Sequence, residues 1–262
     1  MRETITMVVT VMAYPAISTK HGETVCVAGI RTDQLMTSSW VRLFPFKVRD
    51  IPTAARIHKW DEIEVEVVKA SGDHRPESYT PNLDSIRVIR RLGTERSWSE
   101  RRAVVDPLPL ESTMADVERR QAADGLSLAA VRPGEVLDLE VTVRPTKELA
   151  EQRTKAEFAV QQGDLFSIGD RHEPLEPIPF NFHYVMRYPD ETEPRRLKII
   201  DWEINQAWRK WRHQYPDPEQ RIRDKWMNEL LGSDRDSVLF VGNMHRFQAQ
   251  FLLLSVFWPP RR

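Results

Sequence analysis

The sequence predicts an α+β chain that is mainly β: two small Greek-key β-barrels carrying helical insertions. Three observations lead to that class. Apolar and polar residues alternate at period two in many short runs. Helix start and stop signals occur in only a few segments. The 262 residues are 40% hydrophobic, enough for two ordinary cores. The organisation that follows is an N-terminal barrel over 1–95, a helical connector over 96–134, and a second β domain over 135–262. That second domain carries a two-helix insertion at 203–232.

Residues 5–13 (ITMVVTVMA) are rich in Val and read as a buried strand, followed by a polar loop at 14–24. Residues 25–46 form a hairpin whose second strand holds Trp40, Val41 and Arg42 in succession. Residues 61–69 (DEIEVEVVK) alternate Glu with Ile and Val, and 85–91 (SIRVIRR) alternate with arginine. In the connector, Thr113 and Asp116 have capping-box spacing and Gly125 marks a helix stop. Strand character returns at 135–144, ahead of a polar, charged stretch at 146–164. Ile178, Phe180, Phe182, Tyr184, Met186 and Tyr188 then repeat at strict period two, with 195–204 as the expected partner strand. Helices are expected at 203–214 and at 217–231, where Asp217 caps, Pro218 opens the first turn and Gly232 ends it. Two strongly apolar strands, 238–242 and 249–258, close the chain.

Composition excludes several classes. A formal net charge of -1 gives no global pull toward polyanions, so any such site must be a local patch. The single cysteine, Cys26, precludes an internal disulfide and a cysteine-based zinc cluster. Ten glycines, with no P-loop, nucleophile elbow or dinucleotide fingerprint, argue against a glycine-rich phosphate cradle. The seven histidines have no short metal-ligand spacing, so neither a metal nor a cofactor is expected. The N-terminus lacks a signal-like apolar stretch, and no run reaches a membrane span. The chain reads as a soluble cytoplasmic protein with no membrane partner.

The segments "ETVCVAGIR" and "WVRLFPF" resemble the opening of bacterial proteins described as dual OB-domain proteins, with two oligonucleotide-binding-type barrels in one chain. The resemblance lies at Val25–Ile30 and Trp40–Leu43, and again where "PFNFHYVMRY" faces "KIIDWEI". Leu43 stands where that family usually has proline, and the part beyond residue 203 is longer than in those proteins. The resemblance implies two OB-like barrels and a nucleic-acid-binding accessory in bacterial defence or DNA processing.

Two aromatic-basic clusters fit such a role. The first comprises Lys20, Arg31, Trp40, Arg42, Phe44, Lys47 and Arg49, with Arg75 in a nearby loop. The second comprises Arg195, Arg196, Lys198, Trp208, Arg209, Trp211 and Arg212, holding Trp208 and Trp211 on one helical face. His245 and Arg246, in the turn between the last two strands, are further candidates. Cations neutralise phosphates, and indole rings stack bases. The competing reading is that the rings only fill cores. Asp201 and Glu203, placed on one side of a strand, define a second function: a metal-dependent nuclease or hydrolase. A third is a protein-interaction subunit of a multi-component complex.

Overall fold

The computed structural model describes residues 1–13, 16–18, 22–33, 39–46, 56–164, 176–189 and 191–262. The first half contributes β1 (Arg2–Met12), β2 (Ala16–Ser18), β3 (Gly22–Arg31), β4 (Trp40–Phe46), β5 (Asp61–Lys69), β6 (Ser78–Pro81) and β7 (Arg87–Arg91). Helix α1 (Glu95–Val105) follows. β1 pairs antiparallel with β3, and β3 with β4; β4 runs parallel to β6, and β6 is antiparallel to β5. β5 pairs antiparallel with β1, so five strands close into a barrel. β2 and β7 lie outside that circuit, on β3 and β5.

Period-two alternation explains the interior. Ile5, Met7 and Val9 of β1 point inward to meet Val25, Val27, Val41, Leu43, Ile63, Val65 and Val67. β1 is nevertheless apolar on both faces, because Val8 and Val11 are also buried, against the other half of the chain. Gly29 is needed where β3 crosses β1: a Cβ there would lie 2.1 Å from the Val8 carbonyl oxygen.

The second half contributes β8 (Leu110–Glu111), α2 (Met114–Asp124), β9 (Leu128–Val131), β10 (Glu135–Val143), α3 (Thr146–Asp164), β11 (Phe180–Arg187) and β12 (Arg195–Ile199). It continues through α4 (Trp202–Trp211), α5 (Pro218–Arg223), a π-helical turn at Asp224–Glu229, β13 (Val238–Met244) and β14 (Phe247–Phe257). The Thr113–Asp116 capping box forms, and Gly125 ends α2 with a left-handed φ of 71°. Strand order is β10-β11-β12-β14-β13-β9-β8. Among the described residues no pairing joins β10 to β8, so an open sheet stands where sequence periodicity suggested a barrel. β8 and β9 belong to this sheet, although the sequence placed them in the connector. The second core lies between this sheet and α4, α5 and the π turn, where Tyr184, Ile204, Ile222 and Trp226 are buried together. The Tyr184 hydroxyl donates to the Trp226 carbonyl at 2.6 Å.

A third cluster joins the halves. Val8, Val11, Ala28, Ile30, Trp60, Leu92 and Trp98 pack against Leu128, Ala130, Phe240, Leu254 and Phe257. Arg96, Ser97 and Trp98 are left-handed, with φ of 49°, 55° and 64°, and this turn carries Trp98 to within 5.8 Å of the Phe257 ring and 5.0 Å of Trp258. α3 lies beside β2 and β3, adding a second contact between the halves. No helix among the described residues is long and apolar enough to cross a membrane.

Because that third core belongs to neither half alone, calorimetry is expected to give one cooperative unfolding transition. Phe257→Ala should lower stability by about 3–5 kcal/mol, measured by denaturant titration, and both halves should lose structure at the same midpoint.

Candidate functional site

Alternation on β4 sends Val41 and Leu43 into the barrel and turns Trp40, Arg42 and Phe44 outward. Much of that outward face is covered. The Trp40 ring meets Phe240 edge-on, with centroids 5.3 Å apart. Arg42 is only 4% exposed. Its Nη2 donates to the Ser127 carbonyl and to Ser127 Oγ, both at 3.1 Å, and to Glu77 Oε1 at 3.4 Å. Ser127 Oγ in turn donates to Glu77 Oε1. Arg42 therefore ties the barrel to β9, a correction to its expected role as a phosphate ligand. Phe44 is 39% exposed at the end of this row.

Beside this tie opens a cleft of about 360 Å³, lined by Arg31, Ser39, Trp40, Val41, Pro76, Glu77 and Tyr79. Arg31 donates through Nε to Asp33 at 2.7 Å and through Nη2 to Glu3 at 3.1 Å. The hydrogen bond to Asp33 raises its already high pKa further. Lys69 places its ammonium over the Tyr79 ring, 4.0 Å from the centroid. Arg75, in the loop entering β6, grips Asp73 at 2.6 Å and donates through Nη1 to the Asn243 carbonyl at 2.8 Å. Burial opposes ionisation of Asp73, but hydrogen bonds from Arg75 and Ser78 outweigh it and hold the carboxyl below the usual range. Asn243 leads into an exposed hairpin tip containing Met244, His245, Arg246 and Phe247. His245 Nδ1 lies 3.4 Å from Asp73 Oδ1. Trp40, Arg42, Arg75 and His245 are thus brought to one seam between the halves, with Arg31 in the adjoining cleft and Arg246 next to His245 on the exposed tip. Lys20, Lys47 and Arg49 lie outside the described residues.

The second cluster is arranged differently. Trp208 packs edge-on against Phe180 at 4.5 Å, and Trp211 lies 6.1 Å from Trp226. Both rings join the second core as partly buried members rather than forming an open platform. Arg221 stacks over Trp211 at 5.0 Å. The cations meet acids: Arg212 pairs with Glu176 at 2.6 Å, Arg196 with Glu140 at 2.6 Å, and Arg195 with Glu191 and Glu118. Arg209 donates to the Glu176 carbonyl. Burial, with Arg144 nearby, lowers the pKa of the half-buried Lys198. The sequence expected a basic, ring-bearing groove here; most of these cations are neutralised by side chains on neighbouring elements.

Asp201 and Glu203 do not share a strand. β12 ends at Ile199; Asp201 is the N-cap of α4, accepting from the Glu203 backbone N–H at 3.0 Å, and Glu203 occupies the first helical turn. Between the two carboxylates sits Lys59, from the segment preceding β5. Its Nζ is 3.1 Å from Asp201 Oδ2 and 2.7 Å from Glu203 Oε2. The Lys59 side chain is 7% exposed, while Glu203 is 54% exposed at the mouth. Ala13 bridges the Asp201 backbone, and Trp202 packs on the barrel core. One ammonium is shared by two carboxylates. Burial opposes ionisation of Glu203, but Lys59, with Lys225 and Arg101 also nearby, holds its carboxyl below the ordinary range. Burial first, opposed by Lys59 and reinforced by Glu203, lifts Asp201 to about 6. Lys59 resists burial because both carboxylates favour its charged form, and its pKa rises. Among the described residues no group of three His, Cys, Asp or Glu is poised to hold a metal. Here the ammonium stands between the carboxylates and latches the two halves together.

Sequence reasoning missed Lys59, Glu77, Tyr79 and Ser127. Lys59 lies 142 positions from Asp201, and no local pattern announces such a pairing. Glu77 immediately precedes β6 and Tyr79 lies within it, and a four-residue strand is too short to show its faces.

Removing the Lys59 ammonium should leave Asp201 buried and unpaired, so Lys59→Ala is expected to cost roughly 3–5 kcal/mol in denaturant unfolding. The folded pKa of Asp201 lies above its ordinary 3.8, so its favourable contribution is full below that value and is lost as pH rises through about 6. Carboxyl ¹³C NMR should give Asp201 a midpoint near 6. The stability of the natural chain relative to Asp201→Asn should also improve as pH falls from about 7 to 5.

The profile of a domain of unknown function (DUF8758) matches residues 3–107, and that of a second (DUF8757) matches residues 110–262. Their junction falls between α1 and β8, where the barrel gives way to the open sheet. No curated protein matches the chain. The second profile covers more than half of the 262 residues, and the chain belongs to the family of that domain of unknown function (DUF8757), preceded by its DUF8758 neighbour in a two-domain architecture.

Proposed function

We propose that this chain is a nucleic-acid-binding module for single strands, built on an OB-type barrel and serving as an accessory without covalent chemistry of its own. The barrel's pairing supports the OB assignment. Taking β1, β3, β4, β5 and β6 as strands one to five, the circuit runs one-two-three-five-four, with a parallel contact between three and five. OB barrels bind oligonucleotides on strands two and three and in the loops after strands one and four.

The observation that carries the reading is the cleft on that part of the barrel. Trp40 and Tyr79 line it with aromatic surface, Arg31 and Lys69 supply positive charge, and the seam leads past Arg75 to the exposed tip at His245 and Arg246. Aromatic faces take up bases at roughly 1–3 kcal/mol each, and cations along the path neutralise phosphates. A ligand at this seam relies on the first cluster and the tip. The helical surface around Trp208 is left out, because its rings pack on the second core and most of its cations are paired with acids, whereas Trp40 and Tyr79 line a cleft.

Fluorescence anisotropy with a labelled mixed-sequence single strand tests the proposal. Binding should be measurable at low salt and weaken steeply as salt rises. Arg246→Glu, a change on the exposed tip, should weaken binding several-fold and reduce the salt slope by about one. A folded natural chain that leaves the probe's anisotropy unchanged at low salt overturns the reading.

A further inference from the structure

The cleft contains one group that a general phosphate-and-stacking surface does not need: the carboxylate of Glu77. It is 11% exposed and lines the cavity together with Trp40 and Tyr79. A carboxylate repels phosphates and accepts from N–H donors, so a ligand group meeting Glu77 in the cleft must be a donor, even though Glu77 is already paired with Arg42. Its position is fixed from behind. The Ser127 hydroxyl and Arg42 Nη2 both donate to Oε1, and the Glu77 carbonyl accepts from the Arg42 backbone N–H at 2.8 Å. Among the described residues its side-chain hydrogen bonds fall on Oε1 alone, from the side of β9 and β4.

Resting on the single-strand reading above, we propose that this cleft is a subsite for one unstacked guanine, read through its Watson–Crick edge by Glu77. An ionised carboxylate only accepts hydrogen bonds. Of the four bases, guanine alone presents two adjacent N–H donors on that edge, at N1 and N2. Adenine and cytosine each offer a single exocyclic amine there beside a ring acceptor, and thymine flanks its one N–H with two carbonyl oxygens that repel the carboxylate. A cavity of about 360 Å³ admits one base with part of its sugar. Trp40 and Tyr79, each partly buried against a core, give the cavity aromatic surface for the purine. The hydrogen bonds of Arg31 use its Nε and Nη2, and its guanidinium is one of the donors in the lining, with the Ser39 and Tyr79 hydroxyls and the Trp40 indole N–H, that suit guanine O6. The tie from Arg42 through Ser127 then has a second effect: it sets the direction in which the carboxylate faces.

The experiment uses the full natural chain and short labelled oligothymidylates that differ only at one central nucleotide: dG, dI, dA, dC or dT. Hypoxanthine in dI keeps N1–H and lacks the N2 amine. The expected order is dG tightest, dI intermediate, and dA, dC and dT weakest. The advantage of dG over dA should be about tenfold, within the range of a two-bond base contact. Glu77→Gln should abolish the preference for dG, and because it also removes the carboxylate partner of Arg42 its thermal transition is recorded alongside. If that variant fails to fold, the base series on the natural chain decides alone. Equal affinity for all five probes overturns the guanine subsite and leaves the single-strand reading standing. Absence of binding to every probe overturns both. Displacement of the dG probe by an arginine-rich peptide that itself binds more tightly than any oligonucleotide also overturns the subsite, since a guanidinium would then be the natural occupant.

Discussion

Burial of the barrel's outer wall is the constraint on which the rest depends. Val8, Val11, Ala28 and Ile30 would be solvent-exposed on an isolated barrel; here they meet Leu128, Ala130, Phe240, Leu254 and Phe257 of the second sheet. Shared apolar surface of this kind fixes two domains as one body more firmly than polar contacts do, because its removal from water is favourable in any orientation that fills the space. The polar ties then select the orientation. Arg42 and Arg75 reach across to Ser127 and Asn243 near one end of the seam, and Lys59 reaches to Asp201 and Glu203 elsewhere along it. A buried ion pair adds little net stability against an apolar alternative, but it is intolerant of misalignment.

Charge is managed by pairing. A chain with 38 basic and 39 acidic residues has no overall field, and its arginines mostly face carboxylates on neighbouring elements: Arg90 toward Glu62 and Glu100, Arg91 toward Asp61, Arg195 toward Glu191 and Glu118. A basic run in such a sequence carries little information about partners. Arg195 to Lys198 looks like a patch when read alone, yet two of its three cations are answered by acids that arrive from β10, α2 and the turn before β12. The cleft proposed as the binding surface is lined by first-half residues, and Arg75 joins it to Asn243 of the second half.

Much of the fold was legible because period and capping are local. The six alternating apolar residues at 178–188 became β11 and its flanks, with Phe182, Tyr184, Met186 and Tyr188 buried. Glu alternating with Ile and Val at 61–69 became β5, and the capping box at Thr113 set the start of α2. The limits were equally physical. Alternation says that Trp40, Arg42 and Phe44 share a face, but not whether water or another sheet lies against it. Helical spacing placed Trp208 and Trp211 together without saying that their face points at Phe180 and Trp226. Asp201 read as a strand residue because the run LKIID (197–201) fits a strand pattern until the capping oxygen is recognised. The candidate site was half visible: Arg31, Trp40 and Arg75 stood out by type, whereas Glu77 and Ser127 acquire significance only through contacts 50 and 85 residues away.

The tip from Met244 to Phe247 is the exposed end of the β13–β14 hairpin, yet Asn243 at its base is hydrogen-bonded to the Ser127 carbonyl, and Ser127 holds both Arg42 and Glu77. Mechanical load applied to this protrusion has a short path of polar bonds to the carboxylate in the cleft.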